Sequence, residues 1–328
     1  MIGLAAIQDA RNHIARRILS TPLVGSPTLS DICGVTVGLK LEHRQTTGSF
    51  KLRGATNAIL KLTNAERERG VVAASTGNHG RALSHAARTV GSRATICMSR
   101  LVPENKVAEV RRLGADVRII GSSQDEAQKE VERLADEDGL VMLPPFDHPN
   151  IVAGQGTIGL EIVEAMPDVA TVLVPLSGGG LAAGVAAAVK GIRPHTRVIG
   201  LTMARGAAMK VSLDAGRPVQ VEEFPSLADS LGGGIGLNNK VTFAMCRALL
   251  DDVVLLSEEE IAAGIRHAYE HEREILEGAG AVGIAALIAN KIPRLMGPVV
   301  LVLSGRNIDM KLHRCVVNMV SNPLGQEM

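Results

Sequence analysis

"TVLVPLSGGGLAAG", residues 171–184, decides how this chain is read. An apolar, β-branched run leads into a serine and three glycines, and an Ala-rich stretch follows directly. That order predicts a strand, a tight turn and a helix with no linker between them. The unit recurs along the chain. Strand candidates lie at 71–75, 94–98, 116–120, 141–145, 171–177, 197–202, 252–257 and 298–304, with helical stretches such as "PENKVAEVRRLG" between most of them. Apolar strands alternating with helices predict parallel strands covered on both faces, an α/β layered fold. The break at "PPFDHPN" (144–150) is the expected lobe boundary. The chain ends soon after "LSGRNID" (303–309), so no appended regulatory domain is expected.

The glycine cluster carries chemistry as well as a turn. One or two glycines would satisfy a tight connection. Three glycines after Ser177 favour an anion held on helix N-terminal amides. The spacing Gly178-x-Gly180-x-x-Ala183 also meets a relaxed dinucleotide fingerprint, but the next strand, "RVIGLT", ends without the acidic residue that would hold a ribose. Arg205 leaves an NADP-dependent oxidoreductase open as a rival reading, and a lone phosphate fits better. A second cluster, "LGGGIG" (231–236), is read equally well as a loop needing positive φ angles.

Composition narrows the partners. The chain has 328 residues, enough for two lobes, with 35 basic against 34 acidic residues and a net charge of +1. This balance gives no reason to expect nucleic acid or an anionic membrane as a partner. Four Phe, one Tyr and no Trp make base-stacking platforms implausible. No apolar run is long enough to span a membrane, and the N-terminus is charged too soon for a secretory signal. Cys33, Cys97, Cys246 and Cys315 form no CxxC pair and read as reduced thiols, so a cytoplasmic location is expected.

One lysine stands out. In "TTGSFKLRGA" (46–55), Lys51 follows Phe50 among small residues and glycines, a setting that an ordinary surface lysine does not need. "ASTGNHG" (74–80) is a strand end, a small polar turn and a helix start, a second anion cradle. "LSGRNID" puts Ser304 at the C-terminal end of the last strand, where ligands of open α/β sheets sit.

With "GQGTIGLEI" (154–162), these stretches resemble, in order and along nearly the whole chain, the fold type II pyridoxal-phosphate enzymes. That group holds the threonine and serine dehydratases and serine racemase. The resemblance implies a two-lobed, open parallel-sheet fold like that of tryptophan synthase β. Residues 1–60 and 150–328 would form the large, cofactor-binding domain, and residues 61–149 a small domain contributing the asparagine and substrate loop. It implies that Lys51 attaches the cofactor covalently and then acts as base at the substrate Cα. Phe50 would pack beside the cofactor, and Asn78 would bond its 3′-oxygen. Ser177, Gly178, Gly179, Gly180 and Leu181 would hold the phosphate, and Ser304 the ring nitrogen. Ser75, Thr76, Gly77, Asn78 and His79 would hold the substrate carboxylate, with Ser75 and Thr76 also counted as catalytic. His79 has a second reading, as a cap of its helix. Arg53 reads as structural or as a surface charge, and Glu277 as an ion-pair partner or an acid near the cofactor.

The chain departs from the family pattern in four places. The phosphate loop begins with Ser177 where glycine is common. Thr76 stands where serine racemase has a serine acting as base on the opposite face, which puts racemisation in doubt. Arg306 stands where many relatives have glycine; it is either a binder of a second anionic group or a surface residue. Thr202 and Ala208 stand where racemase-like relatives carry acidic metal ligands, so no metal site is expected. "STGNHGRAL", "ICMSRLVP", "MLPPFDHP", "ARGAAM" and "SLADSLGGGIGL" look most like the hydroxyectoine-utilisation dehydratases of this group. The expected protein is therefore a lyase that removes water, then ammonia, from a β-hydroxy amino acid or a hydroxyectoine-derived compound. The alternatives are an L-threonine/L-serine or 3-hydroxyaspartate ammonia-lyase, an NADP-dependent oxidoreductase, and a ligand-binding protein without turnover. A homodimer is implied by the resemblance alone.

Overall fold

The computed structural model describes residues 1–75, 77–102 and 104–319. Among the described residues, ten strands build two sheets: β1 (Leu23–Gly25), β2 (Val37–Lys40), β3 (Val71–Ala74), β4 (Ala94–Met98), β5 (Asp116–Ile119), β6 (Val141–Met142), β7 (Thr171–Pro175), β8 (Arg197–Met203), β9 (Asp252–Leu256) and β10 (Val299–Val302). One sheet runs β1-β2-β10-β7-β8-β9 and the other β5-β4-β3-β6. Every pairing is parallel except β1 with β2.

Period-two alternation sorts the core. In the six-stranded sheet, Val172, Val174, Val300 and Val302 point to one face and pack on helices Pro149–Ala165 and Gly180–Ile192. Leu173, Ile199, Leu201 and Leu301 point to the other, against helices Glu258–Glu270 and Gly278–Ile288. The four-stranded sheet repeats the arrangement. Val71, Ala73, Ile96 and Met98 lie on one side, and Val72, Ala74 and Cys97 face helix Gln124–Glu137 on the other. Both faces of each sheet are buried, which is why the strands read as continuous apolar runs.

The ends of the strand candidates differ from their expected bounds where chemistry intervenes. The candidate at 141–145 stops at Met142; Pro144 and Pro145 have no N–H to extend a ladder. The glycine-rich stretch after Leu231 is a loop, with φ of +91° at Gly233 and +80° at Gly236.

Two features position the site. β7 and β10 are neighbours in register, Val299 opposite Thr171, so Ser177 and Ser304 leave the same sheet edge side by side. Strand order reverses at this pair, the place where open α/β sheets bind ligands. Helix Lys51–Leu60 packs its Leu52, Ala55, Ala58 and Ile59 with the core of the four-stranded sheet. Its Gly54 lies so close to helix Pro149–Ala165 that a Cβ on Gly154 would stand 2.7 Å from the Gly54 Cα. Lys51 therefore starts a helix held between the core of the four-stranded sheet and helix Pro149–Ala165.

Candidate active site

Lys51 is the first residue of its helix. The turn before it is stitched to the end of β10: Phe50 N–H donates to Ser304 O at 3.0 Å, and Ser49 bridges Gly305. The lysine turn and the serine of the last strand, far apart in the chain, thus share one backbone joint. The Phe50 ring sits beside the amine, 5.3 Å from centroid to Nζ. Nζ donates to Pro145 O at 2.7 Å. Desolvation holds the amine down to about 8, against the opposing pull of Glu277. A larger share of neutral amine is therefore available near neutral pH than for a lysine in water.

The phosphate loop has an open N-terminus. Gly179, with φ of +88°, precedes helix Gly180–Ile192, and no side chain caps it. Among the described residues, none offers an acceptor to the amides of Gly178, Gly179, Gly180 and Leu181. A buried, uncapped helix start asks for an anion. The glycines themselves are needed for packing: a Cβ on Gly178 would lie 2.4 Å from the Phe146 ring, and one on Gly179 2.8 Å from Cys246 Sγ.

Asn78 opens helix Asn78–Thr89 and joins a buried polar cluster. Its Nδ2 donates to Glu277 Oε1 at 2.7 Å, and its Oδ1 accepts from Asn307 Nδ2 at 2.5 Å. The second Glu277 oxygen accepts the Asn307 N–H at 3.0 Å, and Arg81 donates to Asn307 Oδ1 at 3.2 Å. Glu277 is buried, and desolvation together with the charge of Asp229 pushes its carboxyl up to about 7, despite the donors from Asn78 and Asn307. A Cβ on Gly305 would stand 2.4 Å from Glu277 Oε1 and push the carboxylate out of this cluster. Ser304 is buried with only a long contact, 3.4 Å, from its hydroxyl to Ala279 O.

The remaining substrate-loop residues divide. Ser75 Oγ accepts from Gly80 N–H at 3.0 Å, and Gly77 precedes the helix. Thr76 lies outside the described residues. His79 is not a cap. Its ring is buried and Nε2 meets Leu143 O at 2.8 Å. Arg306 donates its backbone N–H to Gly48 O, and its side chain is exposed with no partner among the described residues. Thr202 is buried in β8 and Ala208 starts helix Ala208–Ala215. Arg53 is fully buried, so the surface-charge reading is corrected: the structure gives it two carboxylate partners, Glu42 and Glu161.

The fold and the comparisons agree on the family. The chain matches the model of the pyridoxal-phosphate dependent enzyme family over residues 14–305. It belongs to that family. A protein of Sinorhizobium fredii described as a putative threonine dehydratase is 71% identical over 97% of this chain and 96% of its own length. The L-threonine ammonia-lyase of Thermotoga maritima is 42% identical over 97% and 79%. Among solved structures, maize serine racemase superposes with a TM-score of 0.90 at 30% identity, covering 94% of each chain. The processed threonine deaminase isoform 2 of Solanum lycopersicum also gives 0.90, at 37% identity over 97% and 87%.

The donor set of this pyridoxal-phosphate-dependent enzyme fits its cofactor. The open amides at 178–181 suit a phosphate, the loosely held Ser304 hydroxyl suits a ring nitrogen, and the desolvated Lys51 amine suits an aldehyde. Sequence motifs did not point to Pro145, Phe146 or Asn307 as site residues. Asn307 sits inside "LSGRNID", but only the fold shows that it holds Asn78.

Proposed function

We propose that the protein is an ammonia-lyase for L-threonine and L-serine, β-hydroxy amino acids that lose water and then ammonia. The observation that carries the reading is the desolvated Lys51 amine set among the open amides at 178–181, the start of helix Asn78–Thr89 and the Ser304 hydroxyl. The two relatives described as a threonine dehydratase and an L-threonine ammonia-lyase support it.

When bound, pyridoxal phosphate supplies an electron-withdrawing ring conjugated with the substrate nitrogen, which acidifies the Cα hydrogen. Gly178 to Leu181 would hold its phosphate and Asn78 its 3′-oxygen, while Phe50 would exclude water beside the amine. Ser304 offers a hydroxyl, a poor proton source for a ring nitrogen. Ser75, Thr76 and the amides from Gly77 to His79 hold the substrate carboxylate. Lys51 takes the Cα proton as the β-hydroxyl leaves. In sum, the substrate loses one water to give a free enamine, which tautomerises to an imine. The imine takes up one water and releases ammonia, leaving a 2-oxo acid. Arg306, with its exposed side chain, is either a binder of a second anionic group or a surface residue, and the first reading keeps 3-hydroxyaspartate among the substrates to test.

The assay offers L-threonine, L-serine, 3-hydroxyaspartate and hydroxyectoine-derived acids to the loaded enzyme and measures oxo-acid and ammonia release. Turnover of threonine or serine is expected. Turnover of a hydroxyectoine-derived acid alone would overturn the substrate, and release from none would overturn the activity. Borohydride reduction and peptide mapping should place the pyridoxyl group on Lys51. The same reading assigns residues 61–149 to the small domain and the rest to the large one. It also makes the enzyme a cytoplasmic homodimer, which sedimentation of the purified protein tests.

A further inference from the structure

The segment 143–147 is pinned at every residue but one. Leu143 N–H donates to Val72 O of β3 at 3.1 Å, and Leu143 O faces His79 Nε2 at 2.8 Å. Pro145 O receives the Lys51 amine at 2.7 Å. The Phe146 ring lies against Gly178, and the Phe146 Cα, Cβ and carbonyl oxygen lie against Gly180. The Asp147 carboxylate accepts the N–H groups of Lys240, Val241 and Thr242 at 2.7, 2.9 and 2.9 Å, at the start of helix Thr242–Leu249. Pro144 and Pro145 carry no N–H, so beside Lys51 this strut presents carbonyl acceptors and no backbone donor.

His79 meets this strut at the Leu143 carbonyl. A carbonyl only accepts, so the ring proton is on Nε2 and Nδ1 is a lone-pair acceptor. Nδ1 is buried without a hydrogen-bond partner. Burial, and then the charge of Lys51, hold the imidazole down to about 3. The ring is therefore neutral at working pH and does not repel an ammonium beside it.

We propose that His79 is a positioning residue for Lys51. By fixing the Leu143 carbonyl it holds the Pro145 carbonyl where the freed Lys51 amine docks. The amine that has taken the Cα proton then finds a charge-assisted acceptor in place. The inference rests on the assignment of Lys51 as the cofactor lysine. The titratable groups facing Lys51 are Glu277, which favours its charged form, and His79 itself.

The test follows the Lys51 amine in the cofactor-free full chain, by the pH dependence of its reductive methylation with labelled formaldehyde. In His79→Leu the Lys51 titration should fall by about half a unit or more, because the ammonium loses its acceptor. With cofactor, kcat should fall about 10-fold and phosphate-loop affinity should hold. His79→Gln keeps an N–H for Leu143 and should restore both. An unchanged Lys51 titration in a folded His79→Leu, or no rescue by glutamine, overturns the proposal. If His79→Leu does not fold, imidazole nitrogen NMR of the wild type decides. A proton on Nε2 with no titration above pH about 5 supports the assignment; a ring that titrates near its ordinary value overturns it. Borohydride label on another lysine would instead remove the assignment on which the inference stands.

Discussion

Glu277 keeps a carboxyl where water does not reach, and that has a measurable cost. Its titration rises from 4.5 to about 7 through burial and the Asp229 charge. A carboxyl raised in the folded state stabilises the fold below its ordinary value, and that contribution is lost as pH rises through the folded value. The shift is worth up to ~3 kcal/mol once the group is charged. Glu277→Gln carries no such charge. In the cofactor-free protein, the thermal midpoint of Glu277→Gln relative to wild type should therefore rise by several degrees between pH 5 and pH 8. A constant offset across that range would show that Glu277 is charged throughout. Sequence motifs made Lys51, Asn78 and Ser304 legible because each lies in a short, ordered stretch. Glu277 reads in the sequence as an ion-pair partner or an acid near the cofactor, but which residue it meets, like the roles of Asn307 and Pro145, becomes legible only in the fold. These three lie 199, 229 and 94 positions from the residues they touch, so no local pattern records the contact.

At the scale of elements, the strands were legible where both faces are apolar and illegible where polar groups are buried. β4, β7 and β10 sit within or close to the expected bounds because each is a continuous apolar run. β2 went unread because it ends in Lys40, a residue buried by its bond to Glu161 at 2.5 Å, which no periodicity announces. β1 is only three residues long and sits at the sheet edge. The glycine loop shows a different gap: its glycines point in the sequence to an anion on the helix amides, and only the fold shows that Gly178 is also needed to admit the Phe146 ring. Gly178→Ala should therefore lower cofactor affinity by at least about 10-fold through displacement of the ring, as overpacking does. Adding Phe146→Ala should recover part of that loss. Titration of the cofactor by fluorescence checks both. A double variant as weak as the sum of the two single changes would mean that the added methyl blocks the ligand directly.

For the whole molecule, Arg53 is expected to carry much of the stability of the junction between the Lys51 helix, β2 and helix Pro149–Ala165. It lies two residues after Lys51 and is fully buried. Its Nε and Nη2 donate to both oxygens of Glu42 at 2.8 and 2.7 Å. Nη1 and Nη2 reach Glu161 at 2.6 and 2.8 Å, and Nη1 also meets Thr157 Oγ1 at 3.1 Å. Lys40 adds a second cation on Glu161 at 2.5 Å. Burial opposes the guanidinium charge, but the two carboxylates more than compensate and raise its titration. The cluster ties the Lys51 helix to β2 and to helix Pro149–Ala165 without touching the reacting groups. Arg53→Met keeps much of the volume but leaves Glu42 without its cation and Glu161 with Lys40 alone. Breaking one side of a buried pair costs about 3–5 kcal/mol. For a chain of this size that lowers the thermal midpoint by about 4–7 °C. Combining Arg53→Met with Glu42→Gln and Glu161→Gln removes the stranded charges and should return part of the midpoint, since a desolvated carboxylate costs more than a neutral amide. Calorimetry at pH 7.5 measures both. A single Arg53→Met variant that melts within about 1 °C of wild type would mean that the two carboxylates find water or protons, and that the junction does not depend on this arginine.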